Sequence, residues 1–330
     1  MMRLTKVELR RLFSRRLTSI ALLGALAMTG LMLFGSFQEA KPQSGPELTS
    51  QRAMFDQASK DWEQNGAQMM RDCLAQPSPD PQADPKALAQ ACSQMEPKWE
   101  NWGKQPAKFQ QMMPNVLLGG AHLLAFVGFV VGAGFVAAEF SSGSMANWLT
   151  FEPRRTRVFA SKLAAAGLGL VPVTVAILGL LTAGLWLIVG NFSSTAGTTT
   201  RVWGDLGWMG ARAVALALAA TLAGAAIGVL LRRTAAVLGI AFGYLVLVEG
   251  VLRQPLQGAQ TWLLQLNVNG WLEHGTRYYI DKCTTDGQGN YSCQGVEKLL
   301  SFGHSAAYLG VLIVFIVGLA ALVFRRRDVS

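Results

Sequence analysis

The sequence predicts an all-α membrane protein of six transmembrane helices, with an N-terminal amphipathic interfacial helix and extracellular helical loops. Three observations carry this. The 330 residues are 51% hydrophobic and only 15% charged, against about 25% charged for a soluble domain. Six apolar runs reach or approach the roughly 20 helical residues needed to cross a bilayer core about 30 Å thick. No Lys, Arg, Asp or Glu occupies the middle of any run, where one such charge costs about 2.5–3.5 kcal/mol on insertion scales.

The segment 1–16 comes first and carries Arg3, Lys6, Arg10, Arg11, Arg15 and Arg16. At helical spacing Met2, Leu9, Leu12 and Phe13 share an arc and most of the cations lie opposite. This is the pattern of a helix lying in the headgroup plane, although Leu4 and Val7 interrupt it. The plainer reading is a cationic flank of the first span. That span, 17–37, is longer than the apolar part of a signal peptide and has no small-residue cleavage site close behind it, so it reads as retained. The remaining spans are 116–138, 163–189, 208–231, 235–252 and 305–324. Backbone polar groups in lipid must satisfy one another, so each is a helix.

Cations near span ends mark the cytoplasmic side. The N-terminal cations, Arg154, Arg155, Arg157 and Lys162, the Arg232-Arg233 turn and Arg325-Arg326-Arg327 all fall on one side, which puts both termini in the cytoplasm. The net charge of +9 is mostly this asymmetry, so it does not point to nucleic acid. The opposite side receives loops 38–113, 190–207 and 253–304. Cys73 and Cys92 lie in the first, Cys283 and Cys293 in the last. Even numbers outside the cell read as disulfides. Pairing within each loop is favoured, since each bond closes a short segment with little apolar core. Free thiols or bonds between the loops are the alternatives.

The first outer loop has a Pro-rich middle, 76–85, with helix-compatible stretches at 47–74 and 86–111, and is expected to form a helical hairpin. In the last, 255–280 is semi-apolar and aromatic and reads as short helices at or dipping into the interface, where Trp and Tyr favour the headgroups. Gly128 and Gly132, Gly224 and Gly228, and Gly239 and Gly243 stand four apart, which allows close helix approach without saying which helices meet. Pro172 interrupts the third span.

Catalytic patterns are missing. There is no phosphate-binding G-x-x-x-x-G-K-[ST] loop, no G-x-S-x-G elbow and no H-E-x-x-H zinc helix. His122, His274 and His304 have no second ligand at metal spacing. Ionisable residues inside a membrane are functional candidates, and here only Arg212 and Glu249 qualify, both toward the outer ends of spans. Glu249 is expected to pair with Arg253, one turn on, or with Arg212, either as an outer ion pair or as a gate. A secondary transporter would place carboxylates nearer the midplane.

The cytoplasmic segment 139–162 is the most distinctive. A short helix is expected through 146–151, ended by Pro153, with Trp148, Leu149 and Phe151 exposed beside charges. It suits either a partner's groove, as aromatic anchors in a polar rim, or a lipid surface. Glu139, then Gly143-Ser144, Leu149, Pro153-Arg154-Arg155 and Lys162 resemble the type 2 ABC transporter permeases of bacteria. The six-span plan, the amphipathic first helix and the broken segment before the last span resemble that family too. The long first loop with its cysteines departs from its plainest members.

The resemblance implies the transmembrane subunit of an ABC exporter in the bacterial cell membrane. It would pair with a second permease, identical or related, above two ABC ATPase subunits that bind the ATP and Mg, with no cofactor in this chain. The short helix would be the coupling helix. Phe151, Trp148 and Glu152 are then expected to touch the ATPase, with Glu139 and Leu149 in the same segment and Arg154, Arg155 and Arg157 anchored on lipid phosphates or ATPase acids. A hydrophobic or amphipathic cargo fits the apolar spans. A membrane-embedded receptor or assembly factor, binding a partner through its outer loops, is the alternative.

Overall fold

The computed structural model describes residues 2–75, 85–102, 104–151, 153–253, 255–285 and 291–326. Six helices in it are long and apolar enough to cross a membrane. They are α2 (Arg16–Ala40), α6 (Phe109–Ser141), α8 (Arg155–Phe192), α9 (Thr200–Leu231), α10 (Thr234–Gly243), which runs on as a π-turn (Tyr244–Val251), and α12 (Phe302–Arg326). The all-α membrane class expected from hydropathy is what the chain adopts.

Between the spans, α1 (Met2–Phe13) and α7 (Ser144–Phe151) lie at one end of the bundle, with Arg232 and Arg233. This is the basic end. The other end carries α3 (Gly45–Ala75), α4 (Pro85–Ser93), α5 (Trp99–Trp102), a 3₁₀ turn (Gln257–Trp262), α11 (Leu264–Leu272) and strands β1 (Thr276–Thr285) and β2 (Tyr291–Leu300). Both disulfides form there, Cys73–Cys92 and Cys283–Cys293, so it is the cystine end. The pairing within each loop favoured by loop closure is the one found.

The centre of the bundle is the crossing of α6 and α9, and the glycine spacings explain it. A Cβ on Gly132 would sit 2.1 Å from the Thr221 carbonyl oxygen, and one on Gly224 would sit 2.1 Å from that of Phe129. Gly128 and Gly228 face the partner helix in the same way, against Thr221 and Ala133. The two small-residue pairs therefore meet each other, backbone against backbone. Gly239 and Gly243 have nothing within 4 Å and take no part. Helix α8 completes the core through Leu181 and Leu185 and continues through Pro172. At 38 residues it is about 57 Å long at 1.5 Å per residue. It therefore overshoots a bilayer core, and Arg155 and Arg157 belong to its first turn rather than to a loop.

Two expectations for the cystine end need correction. The stretch 86–111 is not one helix. It breaks into α4, α5 and the start of α6, because Pro97 and Pro106 each push the residue before them out of helical geometry. The Pro-rich stretch 76–84 lies outside the described residues. In the last loop the expected short helices run only to Leu272. His274 (φ 63°) and Gly275 (φ 112°) then turn the chain, and the β-branched and aromatic residues beyond pair as an antiparallel hairpin with Cys283 opposite Cys293. The start of α3 is a capping box: Glu47 accepts from the Ser44 amide at 2.9 Å. That bond, aided by Lys41 and Lys104, holds the Glu47 carboxyl below its ordinary range.

Candidate functional site

The basic end is organised around four buried or half-buried charges from four parts of the chain. Glu139 closes the last turn of α6, and Lys162 lies two turns into α8. The chain reverses between them at Gly143, whose φ of +70° is a left-handed conformation that suits glycine. The reversal brings the Lys162 ammonium 2.5 Å from Glu139 Oε2. The other carboxylate oxygen accepts from Arg15, between α1 and α2, at 2.7 Å. Lys162 also donates to Glu8 of α1 at 3.0 Å. Glu8, Glu139 and Lys162 are each 2% exposed or less. Both cations also face the buried ring of Phe135, Arg15 at 5.2 Å and Lys162 at 5.4 Å. Two acids balance two bases, which is the condition for burying charge at all.

The short helix α7 is tied into this cluster. The Trp148 indole N–H donates to Glu8 Oε1, and the Arg11 guanidinium lies 4.7 Å over the Trp148 ring. Met145, one turn earlier, is buried. Phe151, one turn later, is 83% exposed. So α7 is tied at Met145 and Trp148 and bare at Phe151. Helix α1 does more than rest on a surface: Leu12 is fully buried, and Leu9 and Leu12 fill the space that a side chain at Gly169 of α8 would take.

These contacts correct two expectations. Trp148 is not an exposed anchor but an internal tie, while Phe151 alone is shown to be bare. Glu139 is buried in the bundle, its carboxylate taken by Arg15 and Lys162 rather than presented at the surface. Arg154 and Arg157 are exposed and Arg155 half-buried; Glu152 and the side chain of Leu149 lie outside the described residues. Glu8 was missed from the sequence. Its signal was a lone acid in a cationic segment, one turn before the apolar Leu12.

The cystine end holds the other candidates. Neither Glu249–Arg253 nor Glu249–Arg212 forms an ion pair. Instead Glu249, 7% exposed, accepts from the Tyr244 hydroxyl at 3.0 Å and from the Gln265 amide at 2.9 Å. Arg253 donates to the Gln265 side chain at 3.4 Å. Arg212 donates to the Trp271 carbonyl at 3.5 Å, and the Trp271 indole returns a bond to the Arg212 carbonyl at 2.9 Å. The physical reason is that α11 lies between the two charges. Half-buried His122 donates from Nδ1 to the Leu118 carbonyl oxygen of its own helix at 2.8 Å. Among the described residues no group of three His, Cys, Asp or Glu gathers as a metal site.

Six spans, a short helix tied to a buried charge cluster at the basic end, and loops clasped by disulfides at the other define a multi-pass membrane protein. The family described as ABC-2 membrane transporter related matches residues 68–256. That is more than half of the chain, which belongs to this family and is a membrane subunit of the transport type. No curated protein and no solved structure matches it.

Proposed function

We propose that the chain is the permease subunit of an ATP-driven ABC exporter in a bacterial cell membrane, with both termini and the basic end in the cytoplasm. Hydrolysis of ATP with Mg belongs to a separate ABC ATPase subunit, and a second permease completes the pathway. The spans suit a hydrophobic or amphipathic cargo. The family membership supports the class, and the distribution of arginines supports the orientation.

One observation carries the mechanism: α7 is bare at Phe151 and locked at Trp148. A companion that grips Phe151 pulls on Trp148. Trp148 holds Glu8 of α1, Glu8 holds Lys162 of α8, and Lys162 holds Glu139 of α6. A displacement of α7 thus reaches three helices through charged contacts with little slack. Such an element couples only if its contacts differ between the two states of the transporter. In this reading α7 and α1 move as one body relative to the crossing of α6 and α9.

The test is co-purification followed by one substitution. The tagged chain should bring down a P-loop ATPase from its native membrane. Phe151→Ala should lower ATP hydrolysis by the assembled complex while the chain stays inserted and equally stable. Recovery of the chain without any ATPase would favour the receptor reading, in which the cystine-clasped loops bind an external partner.

A further inference from the structure

Helix α11 supplies no cap of its own: Leu263 precedes it, and no side chain of that residue can accept a bond. Its first amides are instead served from another helix. The Leu264 amide donates to the Tyr244 hydroxyl at 3.2 Å and the Gln265 amide to Glu249 at 2.9 Å. Tyr244 and Glu249 stand five residues apart, the hydrogen-bonding interval of the π-turn that holds them. At the far end of α11 the Arg212 guanidinium of α9 reaches the Trp271 carbonyl and lies 6.0 Å from the Phe302 ring. A carboxylate at the N-terminus and a cation at the C-terminus are the charges that a helix dipole favours.

Polar atoms on and around α11 go unmatched. Glu249 Oε2, Asn267 Oδ1, Asn269 Oδ1 and Ser305 Oγ are buried and have no hydrogen-bond partner on the described protein. Ser305 lies directly against Gly270 of α11. Buried polar atoms without a partner regain hydration when a segment parts from its neighbours, so they oppose opening little. Apolar packing of Leu266, Val268 and Leu272 seats the middle of α11, and its two ends are held by charge.

We propose that Glu249 and Arg212 are positioning residues that hold α11 in place through its dipole, one from the π-turn and one from α9. Because they sit on different spans, α11 keeps its position only while those spans keep their separation. A rearrangement of α9 against α10 releases it. The consequence for transport rests on the exporter reading; the clamp on α11 does not.

The experiment uses the full chain in liposomes with Val268→Cys, a position 9% exposed, and a membrane-impermeant sulfonated maleimide. The four native cysteines are paired and silent. Glu249→Gln keeps an acceptor for the Gln265 amide but loses the charge, and should raise the labelling rate about five- to thirty-fold. Arg212→Gln should do the same. The swap Glu249→Arg with Arg212→Glu should label faster than either single variant, because both ends then carry the wrong sign. Slow labelling restored by the swap would show a direct ion pair and overturn the proposal. So would an equal rise at Ala166→Cys, a buried position near the basic end, which would mean general loosening. If the clamp variants behave as expected but an ATPase companion and nucleotide never change Val268→Cys labelling, the exporter reading fails and the clamp stands.

Discussion

Lys162→Met is the sharpest test of the charge cluster. The side chain contacts Glu8 at 3.0 Å and Glu139 at 2.5 Å, and all three groups are almost fully buried. Methionine fills similar volume, so the change is mainly electrostatic. Glu139 keeps Arg15, but Glu8 is left with the Trp148 indole alone, a buried carboxylate with one neutral donor. Removing one partner of a buried pair costs about 3–5 kcal/mol. Removing both should cost far less, since a buried pair replaced by apolar groups of matching size is often neutral. Glu8→Leu combined with Lys162→Met leaves Arg15 and Glu139 paired and should recover most of the loss, a coupling of about 2–3 kcal/mol in a double-mutant cycle. The assay is thermal unfolding of the purified chain in detergent, followed by near-UV circular dichroism. A loss below about 1 kcal/mol for Lys162→Met, or simple additivity in the double variant, would refute the reasoning.

Three further outcomes are expected. Gly132→Ala or Gly224→Ala places a methyl group on a carbonyl of the facing helix and should destabilise by about 1–3 kcal/mol as overpacking, whereas Gly239→Ala should be neutral or slightly stabilising in the same unfolding assay. Replacing Cys73 and Cys92 together by Ser opens a loop with a sequence separation of 19 and should cost about 3 kcal/mol of cap stability, read as faster proteolysis of α3 with the spans unaffected. Phe151→Ala removes a side chain that is 83% exposed, so its stability should be unchanged, while Trp148→Ala, which strips Glu8 of a donor, should lower stability by about 2 kcal/mol or more.

Much of this architecture is legible in the sequence. Six spans follow from apolar length, and the two cystines from parity and loop closure. The helix α7 follows from a start in the stretch 141–144 and an end at Pro153. What stayed hidden depended on contacts between distant segments. Glu8 and Lys162 are 154 residues apart, and no periodicity in either segment names the other. Trp148 and Phe151 look alike in sequence, yet only the packing of α1 against Gly169 decides that one turns inward. Glu249 and Arg212 invite pairing because both are rare charges near span ends. The sequence does not reveal that a nine-residue helix comes between them. The hairpin was overlooked because the aromatic run around Tyr278 and Tyr279 suits an interfacial helix and a strand equally well, and Gly275 is the residue that decides.

In the exporter reading α7 acts as a handle, bare at Phe151 and fastened at Trp148. The most direct measurement is maleimide labelling of Phe151→Cys and Trp148→Cys from each side of sealed vesicles, with and without the ABC ATPase. Phe151→Cys should label quickly from the cytoplasmic side and become protected when the ATPase binds, while Trp148→Cys labels slowly throughout. Labelling of Phe151→Cys from the opposite side, or a rate indifferent to the ATPase, would contradict it.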